Sequence, residues 1–389
     1  MVDEPKPVAA VITEYRENTY ADLILGRILE GYNFQGKQRP ELKLVSLFTD
    51  QVPPNDWSRA VARKHEVLVC ETIEAAVTRG TNKVSVDGVL VIGENGEYPR
   101  NEFGQQLYPR RRFFDQVATA FHKFDRAVPV FNAKHLAPNW NDAKWMVDRA
   151  SELKFPLMAG SVLPLTWRNP GLSLPRGCRI AEALAVGFGD IESSGFYALE
   201  LLQCMVERRR GGECGVREVR YLEGRDVWKV ADPPAKLLSA ALECCPSVKP
   251  GSPKDNCGQK AAALILEYCD GLRATVLMLN GHAEHFSFAA RLRSSYRGPG
   301  INGTTAACHF YLQQERPFAH FDHLVRAIDD LVRTGHAAYP VERTLLTTGI
   351  LEAVMMSRHQ RNRPIRTPHL TNLKYDPVDH WFATSPIPA

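Results

Sequence analysis

The stretch Val8-Ala-Ala-Val-Ile12, Thr13-Glu-Tyr-Arg-Glu-Asn-Thr-Tyr20, Ala21-Asp-Leu-Ile-Leu-Gly-Arg-Ile-Leu-Glu30 decides how this chain is read. Its first part is a short apolar run of the kind that forms a buried strand, and its last part carries apolar residues at helical spacing. Between them lie eight residues that form the first strand-to-helix turn. A dinucleotide-binding turn uses Gly-x-Gly-x-x-Gly here, so that bare backbone can approach a pyrophosphate at the helix N-terminus. This turn has no glycine and contains Glu14 and Glu17, which repel a phosphate. Arg16 and the hydroxyls of Thr13, Thr19 and Tyr20 can offset that repulsion with direct hydrogen bonds. Thr13, Tyr15 and Arg16 are therefore the candidate cofactor contacts. Either a cofactor binds here in an unusual way, or the turn lines a pocket for something else, such as a sugar.

Outward from this stretch, strand-like and helix-like runs alternate through residue 160, the pattern of parallel βαβ units. Further strands are expected at Leu42–Phe48, Val67–Cys70, Val86–Ile92, Val128–Phe131 and Leu157–Gly160. The fold class is α/β, with an N-terminal Rossmann-like, doubly wound parallel sheet over residues 1–160. From residue 161 the texture changes: a Pro- and Gly-rich loop leads into a strand at Ile180–Val186 and a helix at Ser194–Glu207. Five strand-like runs then follow in series, ending at Leu312. Strands without intervening helices imply a C-terminal α+β domain, residues 161–363, with an open mixed or antiparallel sheet. Helices at His320–Thr334 and Glu342–His359 are expected to close this domain, and a tail, residues 364–389, to wrap its surface.

The 389 residues are 44% hydrophobic, with a formal charge of +4. Basic runs are only three residues long (Arg110–Arg112, Arg208–Arg210), so nucleic acid is not an expected partner. No run reaches the roughly 18 apolar residues of a membrane span, and the first residues contain no apolar signal-like core. Nine cysteines without a C-x-x-C pair read as reduced thiols and favour the cytoplasm.

Several residues carry candidate chemistry. Lys134 follows a buried strand, where open α/β sheets bind ligands, and can hold a substrate hydroxyl and share its proton; a solvated lysine at a sheet edge is the plain alternative. His135 beside it can relay a proton, or be structural. Asp50, at the end of the second strand, is placed to accept hydrogen bonds from an adenosine ribose and to disfavour a 2′-phosphate, although Asp is also a common turn residue. Glu94, in the turn after the fourth strand, is grouped with the cofactor contacts. Tyr197 and Glu200 share one helical face, and a core tyrosine with a surface glutamate is the competing reading. Asp190 and Glu192 lie in the turn before that helix, where they can bind sugar hydroxyls or, for Asp190, cap the helix. The histidines His282, His285, His309, His320 and His323 default to structural roles, and no metal ligand set is assigned.

Three segments resemble the Gfo/Idh/MocA oxidoreductases. One is Val128-Pro-Val-Phe-Asn-Ala-Lys-His-Leu-Ala-Pro138 with the helix and strand after it, where Ala133-Lys134-His135 stands in place of that family's Glu-Lys-Pro. The others are Cys70–Val77 with Val86–Ile92, and Tyr339–Leu346 with Arg363-Pro-Ile365. The resemblance implies a Rossmann domain joined to an α/β domain, a nicotinamide cofactor, a carbohydrate-like small-molecule substrate and a homo-oligomer formed through the exposed sheet face. It also implies that Tyr197 stands where that family carries a catalytic histidine, in the pattern Tyr197-Ala-Leu-Glu200. Two departures stand out: the absent glycine fingerprint and this Tyr/Glu pair.

The expectation is hydride transfer between NAD, or less readily NADP, and a hydroxyl of a sugar, polyol or glycoside. Lys134, Tyr197, Glu200 and His135 would handle protons. The alternatives are a non-redox lyase, isomerase or hydrolase acting on carbohydrate, with or without a divalent metal such as one held by His320 and His323 on one helical face, or a non-catalytic sugar-binding protein.

Overall fold

Strand β1 (Lys6–Ile12) has no exposed surface from Val8 to Ile12, as an interior strand of a parallel sheet requires. It leads to α1 (Tyr20–Glu30), β2 (Leu42–Thr49), α2 (Ser58–Lys64), β3 (Leu68–Cys70), α3 (Ile73–Thr78) and β4 (Gly88–Ile92). After these come α4 (Arg110–Lys123), β5 (Val130–Ala133), α5 (Trp140–Glu152) and β6 (Leu157–Gly160). The computed structural model describes residues 4–36, 38–378, 382–384 and 387. The six strands pair in parallel in the order β3-β2-β1-β4-β5-β6. That is the doubly wound order: connections run one way from β1 and the other way from β4, which opens a crevice at the carboxyl ends of those two strands. Thr19, Thr72 and Asn139 cap α1, α3 and α5 with side-chain oxygens. Helix α2, which has only seven residues and no side-chain cap, was not expected from the sequence.

The second sheet contains β7 (Trp167–Asn169), β8 (Ile180–Gly187), β9 (Val216–Glu223), β10 (Ala261–Tyr268), β11 (Arg273–Leu279), β12 (Phe286–Leu292), β13 (Ile301–Asn302), β14 (Thr305–Tyr311) and β15 (Ile365–Arg366). Its order is β13-β14-β12-β8-β11-β10-β9-β15, with β7 on β14. Only β8 and β11 run parallel, so the sheet is mixed. Helix α6 (Ser193–Val206) follows β8, and α7 (Ala235–Glu243) and α8 (Pro253–Cys257) lie between β9 and β10.

The expectation of an exposed sheet face is corrected here. Side chains alternate along β8. Gly187 faces α6, where an added Cβ would lie 3.1 Å from that of Ala198. Leu184 and Val186 point the other way, into a core built with Leu237 and Ala241 of α7, Val227 and Cys257. The connection between β9 and β10, to which the sequence pattern assigns no element, folds over the face that would otherwise be open.

By chain contacts the first unit takes the chain through Arg100, Gln106–Val162 and Leu312–Val341; the second takes Asn101–Gln105, Leu163–Tyr311 and the chain from Glu342. Helix α9 (His320–Thr334) therefore belongs to the first unit, whereas the sequence pattern grouped it with the second. The reason is a polar anchor: fully buried Arg27 of α1 donates from Nε to Asp322 at 2.6 Å, and Tyr20 packs edge-on against Phe321. Helix α10 (Val341–His359) closes the second unit. The tail after it is not simply a surface wrap. Arg366 pairs with Glu218, Leu370 is fully buried, and the Tyr375 hydroxyl donates to Glu207 Oε2 at 2.8 Å. Glu207 is also held by buried Arg343, so this part of the tail docks on a buried ion pair.

Candidate active site

The carboxyl ends of β4 and β5 bring together a buried set of charges. Glu94 follows β4 and is 8% exposed; Lys134 follows β5 and is 7% exposed. The Lys134 ammonium lies 3.5 Å from Glu94 Oε2, and Arg110, the first residue of α4, pairs with Glu94 Oε1. Arg110 also points Nη1 at His135 Nε2, 2.8 Å away. A guanidinium only donates, so His135 accepts at Nε2 and carries its proton on Nδ1. Burial, then Arg110 and Lys134, hold His135 well below the usual histidine range, so it is neutral. Two cations therefore share the Glu94 carboxylate in a site of low dielectric.

Local backbone geometry explains how these groups meet. Lys134 adopts φ +59°, a left-handed conformation that costs a non-glycine residue about 1 kcal/mol, and its N–H donates to Gly160 O at 2.9 Å. This kink ends β5 and turns the lysine toward Glu94. Gly93 lets α4 approach, because a Cβ there would lie 2.8 Å from Arg110 Cγ. The Tyr20 ring lies 5.0 Å from the Lys134 ammonium, close enough for cation–π attraction.

The first turn is closed on itself. Thr13, Glu14 and Tyr15 are at most 3% exposed. The Thr13 hydroxyl donates to the Glu94 carbonyl, Tyr15 N–H donates to Asp56 Oδ2 at 2.7 Å, and Arg16 pairs with Glu14. Burial, then Asp22, pushes the Tyr15 phenol up, so it stays neutral. At the N-terminus of α1, Asp22 Oδ2 accepts from Asn18 N–H at 3.0 Å and from Arg316 Nη1 at 3.0 Å. Asp50 ends β2 as expected, but its carboxylate is engaged: Tyr98 Oη donates to it at 2.7 Å, and Arg112 Nη2 reaches both oxygens at 2.7 Å.

In the second unit, Asp190 caps α6 by accepting from Ser193 N–H at 2.7 Å, and it lines a cavity of about 460 Å³ with Tyr221, Asn280 and Arg358. Glu192 immediately precedes α6. Tyr197 is half-buried against Phe286, and Glu200 is fully buried on α6, which removes the reading of a surface glutamate. Among the described residues, no group of three or more His, Cys, Asp or Glu is arranged to hold a metal.

No family model matches the chain, and no curated protein matches it in sequence. Solved structures do match in fold. GenD2 from gentamicin A biosynthesis, in complex with NAD, is 14% identical over 94% of this chain and 97% of its own, with a TM-score of 0.57. The apo scyllo-inositol dehydrogenase of Lactobacillus casei is 11% identical over 94% and 99%, with a TM-score of 0.57. An oxidoreductase of Agrobacterium radiobacter in complex with NAD+, L-tartaric acid and magnesium is 13% identical over 93% and 98%, with a TM-score of 0.56. The chain has the fold of the Gfo/Idh/MocA-type dehydrogenases.

Two of those structures hold NAD, and the residues present here do not fit a dinucleotide held in the ordinary way. Where a pyrophosphate would approach backbone, this turn has Asp22 and Glu14, each already paired with an arginine. Bulky side chains replace the glycines that would let the backbone come near. Sequence reasoning named Lys134, His135, Glu94 and Asp50; it did not name as site residues Arg110, Arg112, Tyr98 and Asp56, which the structure places in contact with them or with the first turn. One signal was available for Arg110: a cation in the first turn of a helix opposes the helix dipole and calls for a carboxylate partner.

Proposed function

We propose that the protein is an oxidoreductase acting on a hydroxyl of a sugar, polyol or glycoside, with Lys134 as the group that handles the hydroxyl proton. One observation carries this reading: a buried ammonium at the crevice of a doubly wound sheet, beside a carboxylate that a second cation already neutralises. Such a site favours negative charge developing on a substrate oxygen, and the ammonium can share the hydroxyl proton as that charge forms. Neutral His135 acts as a positioning residue through Arg110. In the second unit, Tyr197 and Glu200 are assigned to proton transfer, and Asp190 and Glu192 to substrate hydroxyls. NAD is the cofactor of this reading because two of the matching structures hold it; Asp50 places NADP second. Nine unbridged cysteines support a reducing compartment, the cytoplasm.

The test is a panel of polyols and sugars with NAD, followed by nicotinamide absorbance. The native protein should reduce NAD with at least one of them, and Lys134→Ala should lose that activity. An unchanged rate in Lys134→Ala removes the assigned role. The self-paired turn favours a second reading, a carbohydrate lyase, isomerase or hydrolase of the same fold that works without nicotinamide. Sugar conversion without NAD, abolished by Lys134→Ala, would select it.

A further inference from the structure

A second cavity, of about 420 Å³, lies at the end of the second sheet where β8 begins. It is lined by Arg179, Arg209, Arg210 and Arg293, with Asp270 as its single carboxylate. Backbone hydrogen bonds fix the arrangement: Arg293 N–H donates to Arg179 O at 2.8 Å, and Arg210 N–H donates to Cys178 O at 2.8 Å. Asp270 is already used. It accepts from Arg209 Nε at 2.7 Å and from Leu272 N–H at 3.1 Å, and although burial opposes it, Arg209 holds the carboxyl below its ordinary range. Arg209 is 3% exposed and is engaged a second time, donating from Nη1 to Glu213 Oε2 at 3.3 Å. Among the described residues, none of Arg179, Arg210 and Arg293 lies within 4.0 Å of a carboxylate oxygen.

Arginines crowded beside the start of β8 and the end of β12 repel one another unless something compensates them. Guanidinium groups suit phosphate oxygens because their planar forks donate two parallel hydrogen bonds. We propose that this cavity binds a small molecule through a phosphate group. The volume leaves room for more than a bare phosphate ion. The site is separate from the residues assigned to catalysis: β8 has eight residues, so its first residue lies about 23 Å from its last, after which Asp190 follows. A phosphate-bearing ligand here would act as an effector, or as a second anchor for a phosphorylated compound.

The test uses the full chain, with pyrophosphate, glycerol 3-phosphate and inorganic phosphate as probes, titrated calorimetrically and by thermal shift at matched ionic strength. At least one probe should bind saturably and raise Tm. Arg179→Gln/Arg293→Gln and Arg210→Gln should each weaken that binding tenfold or more, while Lys134→Ala leaves it unchanged. Without ligand, the arginine variants should keep or exceed the native Tm, because they relieve repulsion at exposed positions. No saturable binding of any probe would overturn the proposal. So would equal affinity in native and arginine variants, or binding lost in Lys134→Ala and retained in the arginine variants.

Discussion

Two ends of one crevice have been built on opposite principles. At the β1–α1 turn the buried carboxylates are paired with arginines of their own chain: Glu14 with Arg16, and Asp22 with Arg316. At the ends of β4 and β5, Lys134 and Arg110 both approach the one carboxylate of Glu94 in a buried place. A carboxylate already paired with an arginine repels a phosphate without offering it a cation, whereas a buried ammonium that shares its counter-ion can still attract a negatively charged group. The difference teaches that the β1–α1 end of the Rossmann crevice and the β4–β5 end can diverge separately on one sheet.

The largest expected effect is at Lys134. Lys134→Gly removes the ammonium and also relieves the left-handed backbone, so turnover should fall by about a hundredfold to ten-thousandfold while thermal stability holds or rises by about 1 kcal/mol. Parallel loss of both would mean that the lysine is structural. Next comes Arg110→Ala, which leaves Glu94 and Lys134 buried with incomplete partners; about 3–5 kcal/mol of unfolding free energy should be lost in denaturant titrations. Arg112→Ala, at a half-exposed ion pair with Asp50, should cost no more than about 1 kcal/mol.

A pH scan adds a further test. Burial, assisted by neighbouring cations, holds His320 at about 3 and His323 at about 4, and burial with His285 holds His309 at about 4. Unfolding restores the ordinary value of 6.5, so the unfolded chain binds more protons below that pH. Stability should be level above pH 6.5 and fall as pH drops toward 4, by up to about 1.4 kcal/mol per unit for each histidine. A flat profile between pH 7 and 5 would show that these histidines are not buried neutral. The smallest effect is at Asp22→Asn, which weakens the pair with Arg316 by about 1 kcal/mol and removes a negative charge from the N-terminus of α1. NAD affinity should rise; if it falls, Asp22 contributes to binding.

The same contrast explains what the sequence could reveal. Strands β1, β2 and β4 and helices α1, α5 and α9 are legible because their apolar periodicity and caps are local properties. Lys134 is legible because it ends a buried strand. The pairing of Arg110 with Glu94 and of Arg112 with Asp50 spans 16 and 62 residues, and no local pattern encodes it. Helix α7 escaped because the connection around it is rich in Gly, Pro and Lys, and its apolar face has meaning only against Leu184 and Val186. Glu200 looked like a surface residue because burial of a carboxylate depends on the elements packed around it.

The most direct test of the account is a calorimetric titration of NAD into the native protein, repeated with Lys134→Ala and Asp22→Asn. The account predicts saturable binding to the native chain and tighter binding to Asp22→Asn, with Lys134→Ala retaining binding while losing turnover. Titrations of all three proteins that stay flat at millimolar NAD would contradict it, and would assign this crevice to chemistry without nicotinamide.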